Sequence, residues 1–153
     1  YKQFKMNKNN IVNKLPKKNN ANNGLKAKND AVFYTVGRIK FNSWATPTLK
    51  ARDIIINEKE LVHIEKRHST EINSAGMNAF DFVVFIANNF NEIRKGSGES
   101  ILLVVKRNNI SNMAAIELVN IVENGKECYK IKTASMINNE KLKLKKLLCA
   151  DVR

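Results

Sequence analysis

Near Asn91 the spacing of apolar residues changes, and that change fixes what the chain can fold into. Before it, apolar residues recur at helical spacing. After it they alternate, and alternation is the signature of strands packed on one face. Asn57 followed by Glu60 makes a capping box that opens a helix of roughly Glu58–Ser69. "NAFDFVVFIANNF" is apolar nearly all round, which predicts a buried second helix over 79–90. Strands are expected at 92–95, 101–107, 113–122 and 127–135, with turns at "GSGE", "NNIS" and "ENGKE". The Asn124-Gly125 pair is a type I′ hairpin signal.

Upstream, "AVFYTVGRIKF" is β-branched and aromatic but broken by Gly37, so it reads as one bulged strand or a short hairpin. "RDIIIN" is a further extended run. At the other end, "NNEKLKLKKLL" suits a short amphipathic helix or a final strand. The expected class is α+β: N-terminal helices packed on a twisted antiparallel meander of four or five strands drawn from residues 92–135.

Charge divides the chain. Of 27 basic side chains, eight lysines fall in residues 1–29, which carry none of the 14 acidic groups. That Lys- and Asn-rich lead-in shows no apolar period and cannot bury enough surface to offset its ordering entropy. Residues 1–30 are therefore expected to be a flexible basic linker or arm, and 31–153 a single folded domain. A net charge of +13 repels itself in the compact state, and so points to a polyanionic partner. No window is long and apolar enough for a membrane span, and the polar start is no secretory signal. Any export address is expected in a longer parent chain. Cys128 and Cys149 form neither a metal-ligand pattern nor a disulfide framework.

"HIEKRH" holds both histidines, His63 and His68. At roughly 100° per residue, His68 lies on the stripe of Leu61 and Ile64, and His63 about 140° away with Lys66 and Arg67. On an intact helix the two imidazoles cannot meet. One reading is a satisfied core histidine beside a solvated basic face. The other is an RNA-cleaving site at the helix end, where histidine moves the proton and Arg67 or Lys66 stabilises the phosphorane's charge. The alternatives to a nuclease are a non-enzymatic RNA-binding module and a phage-associated protein with a degenerate nuclease fold. Phosphate-binding, serine-hydrolase and zinc-protease motifs are all missing from the sequence, and two histidines five apart make a poor metal site.

The HxxxRH helix, the second helix ending in "NNFNEI", the alternating strands and the closing "YKIKTAS" together resemble the barnase–EndoU–colicin–RelE superfamily over roughly Ile54–Leu148. The nearest branches are toxin domains, such as those ending contact-dependent growth inhibition proteins. The resemblance implies a ribonuclease that needs no metal or other cofactor, often specific for tRNA. Its 2′-hydroxyl attack would leave a 2′,3′-cyclic phosphate. Matched by motif, His68, Arg67 and His63 occupy the HxxxRH positions, and Thr133 and Ser135 the polar pair on the last strand. Lys66, Lys106 and Lys132 would contact RNA phosphates. The same likeness implies secretion within a larger cell-surface protein and delivery to the target-cell cytoplasm. It further implies an immunity protein, expected to be acidic, and allows the target cell's aminoacyl-tRNA-carrying translation factor as a partner.

Overall fold

The computed structural model describes residues 32–43, 49–121, 125–150 and 152. The basic arm over 1–30 and the Asn124 half of the hairpin signal lie outside the described residues. Seven strands form one sheet: β1 (Phe33–Ile39), β2 (Arg52–Asn57), β3 (Glu92–Lys95), β4 (Ile101–Val105), β5 (Ile110–Ile121), β6 (Lys126–Asn138) and β7 (Leu147–Ala150). Three helices accompany it: α1 (Glu58–Ser74), α2 (Ala79–Asn89) and the single turn α3 (Asn139–Leu142). The strand order is β1-β2-β6-β5-β4-β3-β7. No helix among the described residues is long and apolar enough to cross a membrane.

The α+β class holds, with three corrections. The sheet has seven strands, because β1, β2 and β7 join the expected meander. It is mixed, because β2 pairs parallel to β6 through Ile54↔Tyr129 and Ile55↔Lys130. The helices are not N-terminal, since α1 and α2 lie between β2 and β3. Alternation along a strand reveals its faces but not its neighbour, and this parallel contact is too short to leave a pattern of its own.

Local chemistry explains the elements. Asn57 ends β2 and caps α1, its Oδ1 accepting from the Glu60 amide at 2.8 Å. Asn78 does the same for α2 through the Asp81 amide. The helix expected to stop at Ser69 continues to Ser74, where Gly76 with φ of 79° lets the chain turn. The C-terminal stretch adopts both of its readings in succession, a turn of helix and then β7. Arg94 fixes that arrangement from beneath. It pairs with Glu92 at 2.9 Å and donates to the Lys145 carbonyl at 2.8 Å, holding the segment that leads into β7.

The two faces of the sheet differ. Helices α1 and α2 cover one face over a continuous core that includes Ile54, Ile64, Ile72, Phe82, Ile86, Leu103, Ile116 and Ile131. The other face carries two small clusters, one around Leu102, Val104, Ile137 and Leu142, the other around Ile55 and Cys128. Asp53 ties three strands together at the sheet's end, taking Arg38 of β1 and Lys126 of β6, each at 2.8 Å. Burial pushes its carboxyl up, but the two cations outweigh that and hold it below the ordinary carboxylate value.

Two outcomes test this packing. The bulge in β1 lies between Thr35 and Gly37, and a Cβ at Gly37 would stand 2.8 Å from the Ala87 Cβ and 2.9 Å from its carbonyl oxygen. Gly37→Ala therefore forces β1 off α2 and should cost about 1–3 kcal/mol in urea unfolding. Unchanged stability would mean that the two elements separate freely. Tyr34 donates to Glu58 Oε1 at 2.8 Å, and burial, then this acceptor, push its phenol up to about 12. The unfolded phenol ionises near 10, so stability should be full below about pH 10 and fall as pH rises toward 12. Ultraviolet titration of Tyr34→Phe should lose a late-ionising tyrosine that the parent shows.

Candidate active site

Helix α1 lies along β6, and it does so where β6 has lost its other partner. β2 pairs with β6 only at Tyr129 and Lys130, then turns into α1 at Glu58. From there to its end, the outer edge of β6 has no strand beside it among the described residues. An unpaired edge amide costs free energy unless something accepts from it. Glu71 of α1 supplies an acceptor: its Oε2 takes the Met136 amide at 3.1 Å. Its other oxygen, Oε1, stands 2.5 Å from Nδ1 of His68, one helical turn back.

This chain of contacts fixes the imidazole. A carboxylate can only accept, so Nδ1 carries the proton and donates it to Glu71. In the neutral imidazole Nε2 then presents its lone pair, and it makes no hydrogen bond with another described residue. His68 is partly open to solvent, with 24% of its side chain exposed. The geometry is that of a positioned proton acceptor: one nitrogen held by a carboxylate, the other available.

At the same end of the molecule a cleft of about 370 Å³ opens between the α1–α2 turn and the ends of β5 and β6. Met136 lines it and thereby joins it to the Glu71 contact. Ala75, Met77, Phe82, Ile110, Asn112 and Arg107 complete the wall. Arg107 belongs to the loop after β4, and its guanidinium sits over the Phe85 ring, 5.4 Å from the centroid. The loop itself is clamped. Asn139 Nδ2 donates to the carbonyls of Arg107 and Asn108 at 2.7 and 2.8 Å, and its Oδ1 accepts from Ser111 Oγ at 2.7 Å. Ser111 Oγ in turn accepts from the Arg107 amide, and Asn91 Oδ1 accepts from the Lys106 amide. Two exposed cations, Lys106 and Arg107, are thus carried on a braced backbone.

The residues expected from sequence fall into three groups. His68 faces the sheet, and Lys106 flanks the cleft loop. His63, Lys66 and Arg67 are exposed on the solvent side of α1, as the helical wheel requires. Thr133 and Ser135 do share a face, but it is the wrong one for His68. They pair with Ala115 and Met113, which pack on the cluster of Leu102, Val104 and Ile137, away from α1 and α2. The cause is a bulge. Ile131 opposes Ile116 while Thr133 opposes Ala115, so Lys132 is the extra residue and the alternation of β6 inverts there. The expected single site combining His68 with Thr133 and Ser135 is not assembled.

Glu71, Arg107 and Asn112 were missed by sequence reasoning. Glu71 had a usable signal, since it stands three residues after His68 and such pairs meet on a helix surface. It was lost because the helix was expected to end at Ser69. Arg107 and Asn112 had no signal, because a loop cation and a lone strand amide have no period.

Among the described residues no group of three or more His, Cys, Asp or Glu side chains is placed to hold a metal ion. Comparison with models of known protein families, with curated proteins and with solved structures gives no match.

The contact between Glu71 and the β6 edge can be tested directly. Glu71→Ala should cost about 1–2 kcal/mol, the low side for a hydrogen bond to a charged group, because the carboxylate is 34% exposed. Hydrogen exchange at the Met136 amide should speed up by more than the global loss of stability explains. Unaltered exchange at that amide would show that the carboxylate does not hold this edge.

Proposed function

We propose that the domain is a metal-independent endoribonuclease with His68 as its proton-transfer group. The observation that carries this reading is the chain Met136 amide–Glu71–His68, which leaves Nε2 available, together with the cleft that Met136 and Arg107 line. Nε2 would take the proton of an RNA 2′-hydroxyl as that oxygen bonds to phosphorus. The bond from phosphorus to the 5′-oxygen breaks, and the leaving oxygen takes up a proton from the imidazolium or from water. The products are a 2′,3′-cyclic phosphate and a 5′-hydroxyl. Glu71 keeps the imidazole in the useful tautomer and steadies it once it is charged. Lys106 and Arg107 would meet the negative charge that grows on the phosphoryl oxygens.

The net charge of +13 supports a polyanionic substrate, and the HxxxRH likeness supports a nuclease of the barnase–EndoU–colicin–RelE kind. In this reading His63, Lys66 and Arg67 track RNA phosphates along the outer side of α1, and Thr133 and Ser135 have no part in the chemistry. Lys132 projects from the bulge as a further phosphate contact. The biological setting we infer is that of a delivered antibacterial toxin. It would be secreted within a larger cell-surface protein, act on tRNA in the target cytoplasm, and be held in check by an acidic immunity protein. A translation factor of the target cell would be its candidate accessory partner.

RNA cleavage should persist in excess EDTA and yield cyclic-phosphate ends. His68→Ala should lower the rate by about 10²–10⁴ while the domain stays folded, and Glu71→Gln should lower it less. Arg67→Ala should raise KM more than it lowers kcat. Activity lost on chelation and restored by magnesium, or full activity in a folded His68→Ala variant, would overturn the reading.

A further inference from the structure

Asn112 occupies an unusual position. It is 8% exposed, yet its side-chain amide makes no hydrogen bond with any described residue. Its amide nitrogen and oxygen are not fully buried, so they face the solvent of the cleft, where a ligand could take that solvent's place. Register explains where the amide points. Asn112 pairs with Met136 on one side and Val105 on the other, and both pack with the helix-side core, so its side chain projects into the cleft under α2. The cleft is therefore a largely apolar slot, walled by Met77, Phe82 and Met136, with one solvent-reaching amide, that of Asn112, and one cation, Arg107, in its wall.

We propose that this slot is a nucleobase subsite for single-stranded RNA, with Asn112 reading the base edge and Arg107 binding the adjoining phosphate. The choice of RNA rests on the ribonuclease reading above; the subsite rests on the slot. A carboxamide offers a donor and an acceptor side by side, so it pairs in two bonds with a base edge of matching pattern, as asparagine does with N6 and N7 of adenine. The apolar walls suit the faces of a flat ring, and the cleft's volume lies in the lower part of the roughly 300–1,000 Å³ range of small-ligand pockets. The flipped base would leave its sugar and phosphate toward Arg107, whose place is already set by Phe85 and by the Asn139 clamp. Little ordering remains to be done when RNA binds, which favours affinity and selectivity together. Met136 connects the subsite to Glu71 and His68, so the base held in the slot would choose which phosphodiester meets the imidazole. Asn112 and Arg107 are positioning residues in this scheme and transfer no proton.

The test uses the full chain carrying His68→Ala, so that RNA is bound and not cut, with four fluorescein-labelled hexaribonucleotides of a single base each. Anisotropy should give one of the four a Kd at least about fivefold below the others, the discrimination expected of one bidentate base contact. Adding Asn112→Leu should abolish that preference and move the other three affinities less than threefold. This variant should melt within a few degrees of the parent, because the amide makes no hydrogen bond with any described residue, so loss of folding cannot mimic the result. Adding Arg107→Ala should weaken all four oligonucleotides alike and reduce the salt dependence by about one phosphate contact. Equal affinities for the four, or a preference that survives Asn112→Leu, would overturn the subsite. Cleavage by the unmodified chain is scored separately. A base preference without cleavage would refute the ribonuclease reading alone, and cleavage indifferent to Asn112 would refute the subsite alone.

Discussion

Strand β6 has two edges, and only one of them is paired along its length. On the β5 side the ladder runs from Lys126 to Asn138; on the other, β2 accompanies it for two residues and then becomes a helix. The rest of the molecule follows from that incomplete pairing. The helix must lie along the vacated edge, since a long exposed edge invites pairing with other chains. It must also bring an acceptor to the amides there, and Glu71 does so at Met136. Once Glu71 is pinned between strand and helix, His68 one turn earlier has a fixed partner for one nitrogen. A structural requirement of the sheet thus creates a carboxylate–imidazole pair at its edge.

Much of the fold was legible because it obeys local rules. Asn57 and Asn78 cap helices through side-chain oxygens, and sequence spacing announces that chemistry. Gly37 marks the irregularity in β1 because only a residue without Cβ lets α2 approach there. The helical wheel separated His63 from His68, and the structure separates them too, one exposed and one beside the sheet. What was not legible depends on pairs of distant residues. The parallel contact of β2 with β6, and the seat of β7 against β3, are choices of neighbour that alternation does not encode.

The bulge at Lys132 is the most instructive loss. Taken without it, Ile131, Thr133 and Ser135 would share one face, and Ile131 faces the helices. The polar pair would then look toward His68. One extra residue against Ile116 and Ala115 turns the pair over and places Ala134 in the core instead. Nothing about "IKTAS" in isolation distinguishes the two registers, because the decision is made by the partner strand. A site inferred from a strand motif is thus only as good as the register behind it.

Electrostatics gives the cleft its direction. Among the described residues, Asp53, Glu127, Glu92 and Glu140 are each matched with lysine or arginine, and these pairs sit at strand ends or on α3. Lys106 and Arg107 form no such pair, although the loop that carries them is among the most heavily hydrogen-bonded turns in the structure. A cation left unneutralised on a flexible loop would be screened and would search many positions. On a clamped loop, over an aromatic ring and beside a low-dielectric slot, its field stays aimed at one place. The same loop borders Asn112, whose amide has no partner among the described residues and reaches the solvent of the cleft. Both features, a cation without a counter-charge and an amide without a partner among the described residues, lie at one spot, next to a strand edge that a carboxylate and an imidazole share.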